Sequence, residues 1–245
     1  MLQGFLSGMT SYLAGLRLIA KYHLWLYFWV PVLLSLLLGA LVLRTAWAVS
    51  DDIGGWLISY YPWEWGADVI EKIANVLSGV LIVVLTLMIF RYLIMAVASP
   101  FMSLLSEKLE VRMYPGRPPV RFSIGRFFSD LIRGITIALR NVIRELFFTL
   151  ILLLLGVIIP ILGPIVPIII LLIQAYYAGF GNMDFTLERH LGVRESVRFV
   201  RNNRWLALGN GLVFVLMLMT VVGFLFALPL GTAAAALVTL ERLEE

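Results

Sequence analysis

Cysteine is absent from the chain, which excludes disulfides, thiolate nucleophiles and cysteine metal sites and leaves the redox compartment unread. Histidine is almost as scarce, with 2 in the chain, His23 and His190, each more naturally an interfacial or packing residue than a ligand. A phosphate-binding loop, HExxH, GxSxG and the kinase signatures are missing as well. Glu107, Glu110 and Glu188 have no acid or base partner that spacing identifies. No catalytic residue, metal site or cofactor is therefore expected, and the chain is not read as an enzyme. Transport, or a non-catalytic membrane role, is what remains. Near the start there is no short apolar core ending in a small-residue cleavage site, so the N-terminus is expected to be retained.

Charge is thin, at 14% of residues, and its place is taken by apolar side chains, 61% of the chain, with a mean hydropathy of +0.97. Several runs approach or exceed the roughly 20 apolar residues that mark a membrane span. The chain is an integral membrane protein. No polar linker separates the runs, so a single membrane domain, residues 1–245, is expected. Asp51, Asp52, Glu64, Asp68 and Glu71 against Lys72 form one acidic connection, whereas arginines crowd residues 112–144 and 189–204. The positive-inside bias puts the basic segments in the cytoplasm and the acidic loop, 48–72, outside. Nucleic acid is not an expected partner, because these arginines flank apolar segments and serve more simply as topology signals and lipid-headgroup contacts.

Residues 146–180 organise the rest. They hold no charged side chain, yet Pro160, Gly163, Pro164 and Pro167 interrupt any helix at the centre, since each proline removes a backbone donor and clashes one turn back. The two arms, 146–159 and 168–180, would each rise about 20 Å against a hydrocarbon core of about 30 Å. Non-helical backbone is not tolerated in lipid unless protein or a water-lined cavity satisfies it. The expectation is a re-entrant helical hairpin with a buried tip; two short spanning helices or one kinked span would also satisfy the pattern.

Taken in order, residues 1–22 place Leu2, Phe5, Leu6, Met9, Tyr12, Leu13, Leu16 and Ile19 at three-and-four spacing, an amphipathic helix for the interface or a partner helix. A first span covers 24–47, with Pro31 kinking it or ending its first turn. The loop that follows carries an aromatic cluster read as an interfacial belt. A second apolar pattern, 73–105, contains Arg91, which is either intramembrane and functional or snorkelling to the interface. In the basic helix 112–145, Arg126, Arg133, Arg140 and Arg144 share one side, either an electropositive entrance for anions or a face turned to water and headgroups. A second basic segment, 181–204, precedes 205–240, which repeats the broken-hairpin design around Gly223 and Pro229.

Ala98-Ser99-Pro100-Phe101 with Leu104-Leu105-Ser106-Glu107 and Glu110, the bend at Ile159-Pro160-Ile161-Leu162-Gly163, Asp184 with Glu188 and His190, and Leu228-Pro229-Leu230-Gly231-Thr232-Ala233 together resemble the CysZ family of bacterial sulfate permeases, whose superfamily includes the etoposide-induced membrane proteins. The resemblance runs in order over nearly the whole chain. It implies an all-α inner-membrane protein with two long transmembrane helices, two half-inserted hairpins, homo-oligomerisation and passage of sulfate for cysteine biosynthesis. The family's Gly-Leu/Ile-Arg-Arg motif at the start of the first span corresponds here to His23-Leu24-Trp25-Leu26, without arginine. A dianion leaving water needs several oriented donors or positive charges. Arg91, Arg126, Arg133 and Arg140 are the candidate anion-binding residues, while Glu107, Glu110, Asp184 and Arg198 are expected to form cytoplasmic ion pairs joining the hairpin units. A permease or channel for sulfate or another small anion, without its own ATPase, is the leading expectation; a membrane-shaping scaffold of the same superfamily is the alternative.

Overall fold

The computed structural model describes residues 2–59, 86, 88–116, 123–159, 164–220 and 222–244, and within them all side chains except those of 46–59, 126, 157 and 158. The described residues are helices joined by short turns, with no strand among them. In chain order they are α1 (Leu2–Lys21), α2 (Trp25–Ser59), α3 (Met88–Val97), α4 (Ser99–Met113), α5 (Ile124–Ile158), α6 (Val166–Leu187), α7 (Val193–Asn202), α8 (Arg204–Leu218) and α9 (Gly223–Glu244). Three segments are long and apolar enough to cross a membrane: Trp25–Thr45, Val166–Leu187 and Gly223–Glu244. The bent pair α3 and α4 makes a fourth if counted as one span.

Several local expectations meet a definite geometry. Pro31 lies inside α2 without ending it. The expected loop 48–72 is helix in its first part, since α2 continues through Asp51 and Asp52 to Ser59; the rest of that connection, and the apolar run up to 85, lie outside the described residues. A single helix does not run from Arg91 to Leu105: the chain bends by 64° between α3 and α4. Pro100, in the first turn of α4, explains the break, because it has no donor to give and disfavours helix for the residue before it. Residues 160–163, including Pro160 and Gly163, lie outside the described residues; Pro164 is an exposed turn residue and Pro167 sits in the first turn of α6. Gly223 opens α9, but Pro229 lies within that helix, not at the turn, which occupies the residues just after α8.

The centre is an antiparallel pair, α6 and α8, drawn to backbone contact. A Cβ added at Gly211 would stand 1.7 Å from the Ala175 carbonyl oxygen, and one at Gly179 would stand 1.8 Å from that of Ala207. Only glycine fits, and small residues at such a crossing let apolar helices approach closely enough to hold by van der Waals packing. Around this pair lie α1 and α9. The Tyr12 hydroxyl donates to the Asn210 carbonyl at 2.7 Å, fixing α1 as a packed helix. Asn182 Nδ2 donates to Asn210 Oδ1 at 2.9 Å, and Asn210 Nδ2 to the Gly231 carbonyl at 3.2 Å, tying α6, α8 and α9.

Helix α5 inverts the pattern of a water-soluble helix. Its outer face exposes Ile132, Leu139, Ile143, Phe147, Leu150 and Leu154, while Asn141, Glu145 and Thr149 are buried. Lipid on the outside and polar groups against protein is the arrangement a bilayer selects. The helix is continuous over 35 residues, about 52 Å, so the basic stretch before 146 and the apolar arm after it are one rod.

Candidate functional site

The inner face of α5 follows a row at four-residue intervals, Arg133, Ile137, Asn141, Glu145 and Thr149, turned toward α3 and α6. Glu145 is the only acidic residue between Asp130 and Asp184. Its carboxylate, 0% exposed, pairs with the guanidinium of Arg91, 2% exposed, and also accepts the Tyr92 hydroxyl at 2.6 Å. Arg91 Nη1 donates to the Gln174 carbonyl at 3.2 Å. The pair thus bridges α3, α5 and α6 in one polar knot. Arg91 is buried inside the protein, with its charge met by Glu145. Removing one partner of such a pair strands the other charge, at a cost of about 3–5 kcal/mol. Arg91 Nε, Glu145 Oε1 and Thr149 Oγ1 have no hydrogen-bond partner among the described residues, so polar capacity is left over at the knot.

Next to it is a small cavity of about 20 Å³, lined among others by Tyr92, Asn141, Gly181, Asp184 and Glu188. That volume holds about one water-sized sphere. At its far end Arg133 grips Asp184 through two bonds, Nε to Oδ2 at 3.1 Å and Nη2 to Oδ1 at 2.9 Å. The same guanidinium reaches the Leu191 carbonyl and Ser196 Oγ, each at 2.9 Å, so α5, α6 and α7 share one fork.

A second fork closes the α4 side. Arg189 donates to Glu110 Oε2 at 3.0 and 3.2 Å, to Ser106 Oγ at 2.8 Å, and to the carbonyls of Phe185 and Ser103. His190 Nε2 stands 3.0 Å from Glu110 Oε1. Between the forks, burial pushes the Glu188 carboxyl up to about 8; nearby Asp130 and Asp184 add to the shift, and the neighbouring Ser103 and Arg189 oppose it.

The expected residues therefore separate. Arg91 and Arg133 join the polar line, each tied to a carboxylate. Arg140 is half-buried over the Phe180 ring, 5.3 Å from its centroid, and donates to Asn141 Oδ1 at 2.9 Å. The side chain of Arg126 is outside the described set. Glu107, Glu110 and Asp184 are buried; Asp184 takes Arg133 as its ion-pair partner, while Arg198 is exposed on α7. Pro100 and Phe101 form the first turn of α4 beside α5, with Phe101 packed edge-on to Phe127. Tyr92, Asn141, Glu145 and Arg189 went unassigned from the sequence. The first three carried one usable signal, polar residues inside apolar runs; Arg189 carried none beyond the local crowd of arginines.

At the start of α2, His23 has φ of 55°, the only non-glycine residue with positive φ among those described. Glycine takes that conformation without strain, which suits a register in which His23 stands where the motif has glycine. Trp25 and Leu26, the positions expected to correspond to the motif's arginines, are exposed.

Comparison with known proteins bears on this geometry. The family model described as Sulfate transporter CysZ/Etoposide-induced protein 2.4 matches residues 11–229. The sulfate transporter CysZ of Pseudomonas aeruginosa strain LESB58 is 28% identical over 236 residues, 95% of this chain and 94% of that protein. The sulfate transporter CysZ of P. aeruginosa strain PAO1 gives the same figures, 28% over 236 residues.

Proposed function

The chain belongs to the sulfate transporter CysZ/etoposide-induced protein 2.4 family, and from that premise we propose that it is a permease or channel for sulfate or another small inorganic anion, working without its own ATPase. The observation that carries this reading is the inward polar row of α5 beside a cavity, in a helix whose outer face is apolar. Buried polar and ionisable residues in membrane helices mark pathways more often than they merely hold the fold. The two broken hairpins, α5 with α6 and α8 with α9, are half-inserted units. α8 supports this, since 15 residues rise about 22 Å, short of a full crossing of about 30 Å. Basic segments lie on the cytoplasmic side of the bacterial inner membrane and the acidic connection outside, and copies of the chain assemble as a homo-oligomer around the pathway.

The carboxylates at Arg91 and Arg133 are counterions for the resting state. An arriving dianion would compete with Glu145 and Asp184 for those guanidiniums, a weak multi-site interaction of the kind conduction needs. The same pairing favours a second reading, a non-transporting membrane scaffold, because the core arginines are already neutralised. Sulfate uptake into proteoliposomes separates them. Protein-dependent uptake, lowered by Asn141→Leu at the cavity and by Arg133→Ala combined with Arg140→Ala, is the expected result. A folded protein giving no flux above empty liposomes would leave the scaffold.

A further inference from the structure

Among the arginines that make no ion pair with the described residues, four lie together. Arg140 and Arg144 come from α5, Arg201 from the end of α7 and Arg204 from the start of α8; the positive charges of all four act on the phenol of Tyr176. Beside that phenol is a groove of about 340 Å³ lined by Tyr176, Arg201, Arg204, Trp205 and Leu208. Arg204 stacks over the Trp205 ring, 5.7 Å from its centroid, which holds one guanidinium at the rim. Uncompensated positive charge in an aromatic cleft, at the start of the short apolar helix α8 and beside α6, favours an anion of matching shape.

What lies below the groove decides which anion. Ile165, just before α6, and Ile168, Ile169 and Leu172 on it are exposed and precede Tyr176 at helical spacing; Leu216 on the antiparallel α8 and Met219 just after it are exposed and follow Trp205 and Leu208 in the same way. Residues at three-and-four spacing form one stripe, so two apolar stripes run side by side away from the charged end. From Tyr176 to Ile165 the rise is about 17 Å, close to half of a hydrocarbon core of about 30 Å, which is one leaflet. An inorganic oxyanion would use only the charged end. A molecule with a phosphodiester at one end and acyl chains one leaflet long uses all of it.

We infer that the groove between α6 and α8 is a binding site for an anionic phospholipid, its headgroup phosphate held by Arg201 and Arg204, flanked by Arg140 and Arg144, and its chains laid along the two apolar stripes. Trp205 and Tyr176 sit at the headgroup level, where amphipathic rings are favoured. The groove meets the polar row of α5 only through Arg140, which donates to Asn141, and the lipid proposal does not depend on the transport reading.

The absence of cysteine makes the test clean, because Leu208→Cys carries a single bimane label in the full-length protein. The labelled protein is reconstituted in vesicles with brominated phosphatidylglycerol or, separately, brominated phosphatidylcholine. Stronger quenching by the anionic lipid, with about thirtyfold weaker apparent affinity in Arg201→Gln combined with Arg204→Gln, is the expected result, since each basic contact with an anionic surface is worth about fivefold. Arg194→Gln combined with Arg198→Gln removes equal charge elsewhere on α7 and should leave the quenching unchanged. Equal quenching by both lipids would overturn the proposal. So would relief of the quenching by inorganic phosphate or sulfate at constant ionic strength, which would make the occupant a free oxyanion. Disulfide cross-linking between unlabelled Leu208→Cys copies in place of lipid quenching would overturn it too, by assigning the groove to a second copy. The lipid preference is read in the otherwise unaltered protein, so misfolding of an arginine variant does not remove the test.

Discussion

The contact of α3 with α5 and the groove between α6 and α8 both hold arginine, yet the first buries its guanidinium against a carboxylate and the second leaves its guanidiniums without one. The difference follows from surroundings. Arg91 is enclosed by protein, where an uncompensated charge would be prohibitive, and Glu145 is the compensation. At Arg201 and Arg204 the side chains are exposed at the end of an apolar stripe, where the surroundings can supply the anion. A paired arginine inside holds helices together, while an unpaired one at the edge is available to bind.

The contrast can be broken from its strongest point downward. Arg91→Ala strands the Glu145 carboxylate and is expected to destabilise the protein by about 3–5 kcal/mol, while Arg91→Met combined with Glu145→Leu recovers most of that loss. Denaturant unfolding in detergent measures both; a single variant as stable as the parent would show that the pair is not the buried contact described. Asp184→Asn weakens the Arg133 fork at a partly exposed site and should cost about 1.5–3 kcal/mol by the same measurement. Arg144→Gln and Arg201→Gln, outside any ion pair, should fall within about 0.5 kcal/mol of the parent.

The pH dependence gives a subtler separation. Glu188 holds its proton more tightly in the folded protein than in the unfolded chain, so between about 4.5 and about 8 the folded state binds more protons. Stability from this group is therefore present below that window and declines as pH rises through it. Melting temperature should drop across the window in the parent and drop less in Glu188→Gln. A parent and variant with parallel profiles would place Glu188 in contact with water.

Much of the architecture is legible in residue order, because hydrocarbon demands long apolar helices and proline interrupts them. The expected first span, 24–47, and the observed Trp25–Thr45 nearly coincide. The orientation of α5 was not legible. Periodicity shows that Arg126, Arg133, Arg140 and Arg144 share a side, but not whether that side meets water or protein; in lipid the polar side turns inward. The contact line on a helix also follows the i, i+4 ridge, which slants about 26° from the axis. Arg133 starts on that ridge, and Asn141, Glu145 and Thr149 continue it, while Arg144 falls off it onto the surface. The partner of Arg91 was hidden for a related reason: the two residues are 54 positions apart, and only the packing of α3 on α5 brings them together.

That separation has a meaning for how the protein is made. Arg91 leaves the ribosome 54 residues before Glu145, about 3 to 10 seconds at ordinary elongation rates. During that interval the carboxylate that Arg91 takes in the folded protein has not been made, so the contact of α3 with α5 closes only after α5 is delivered.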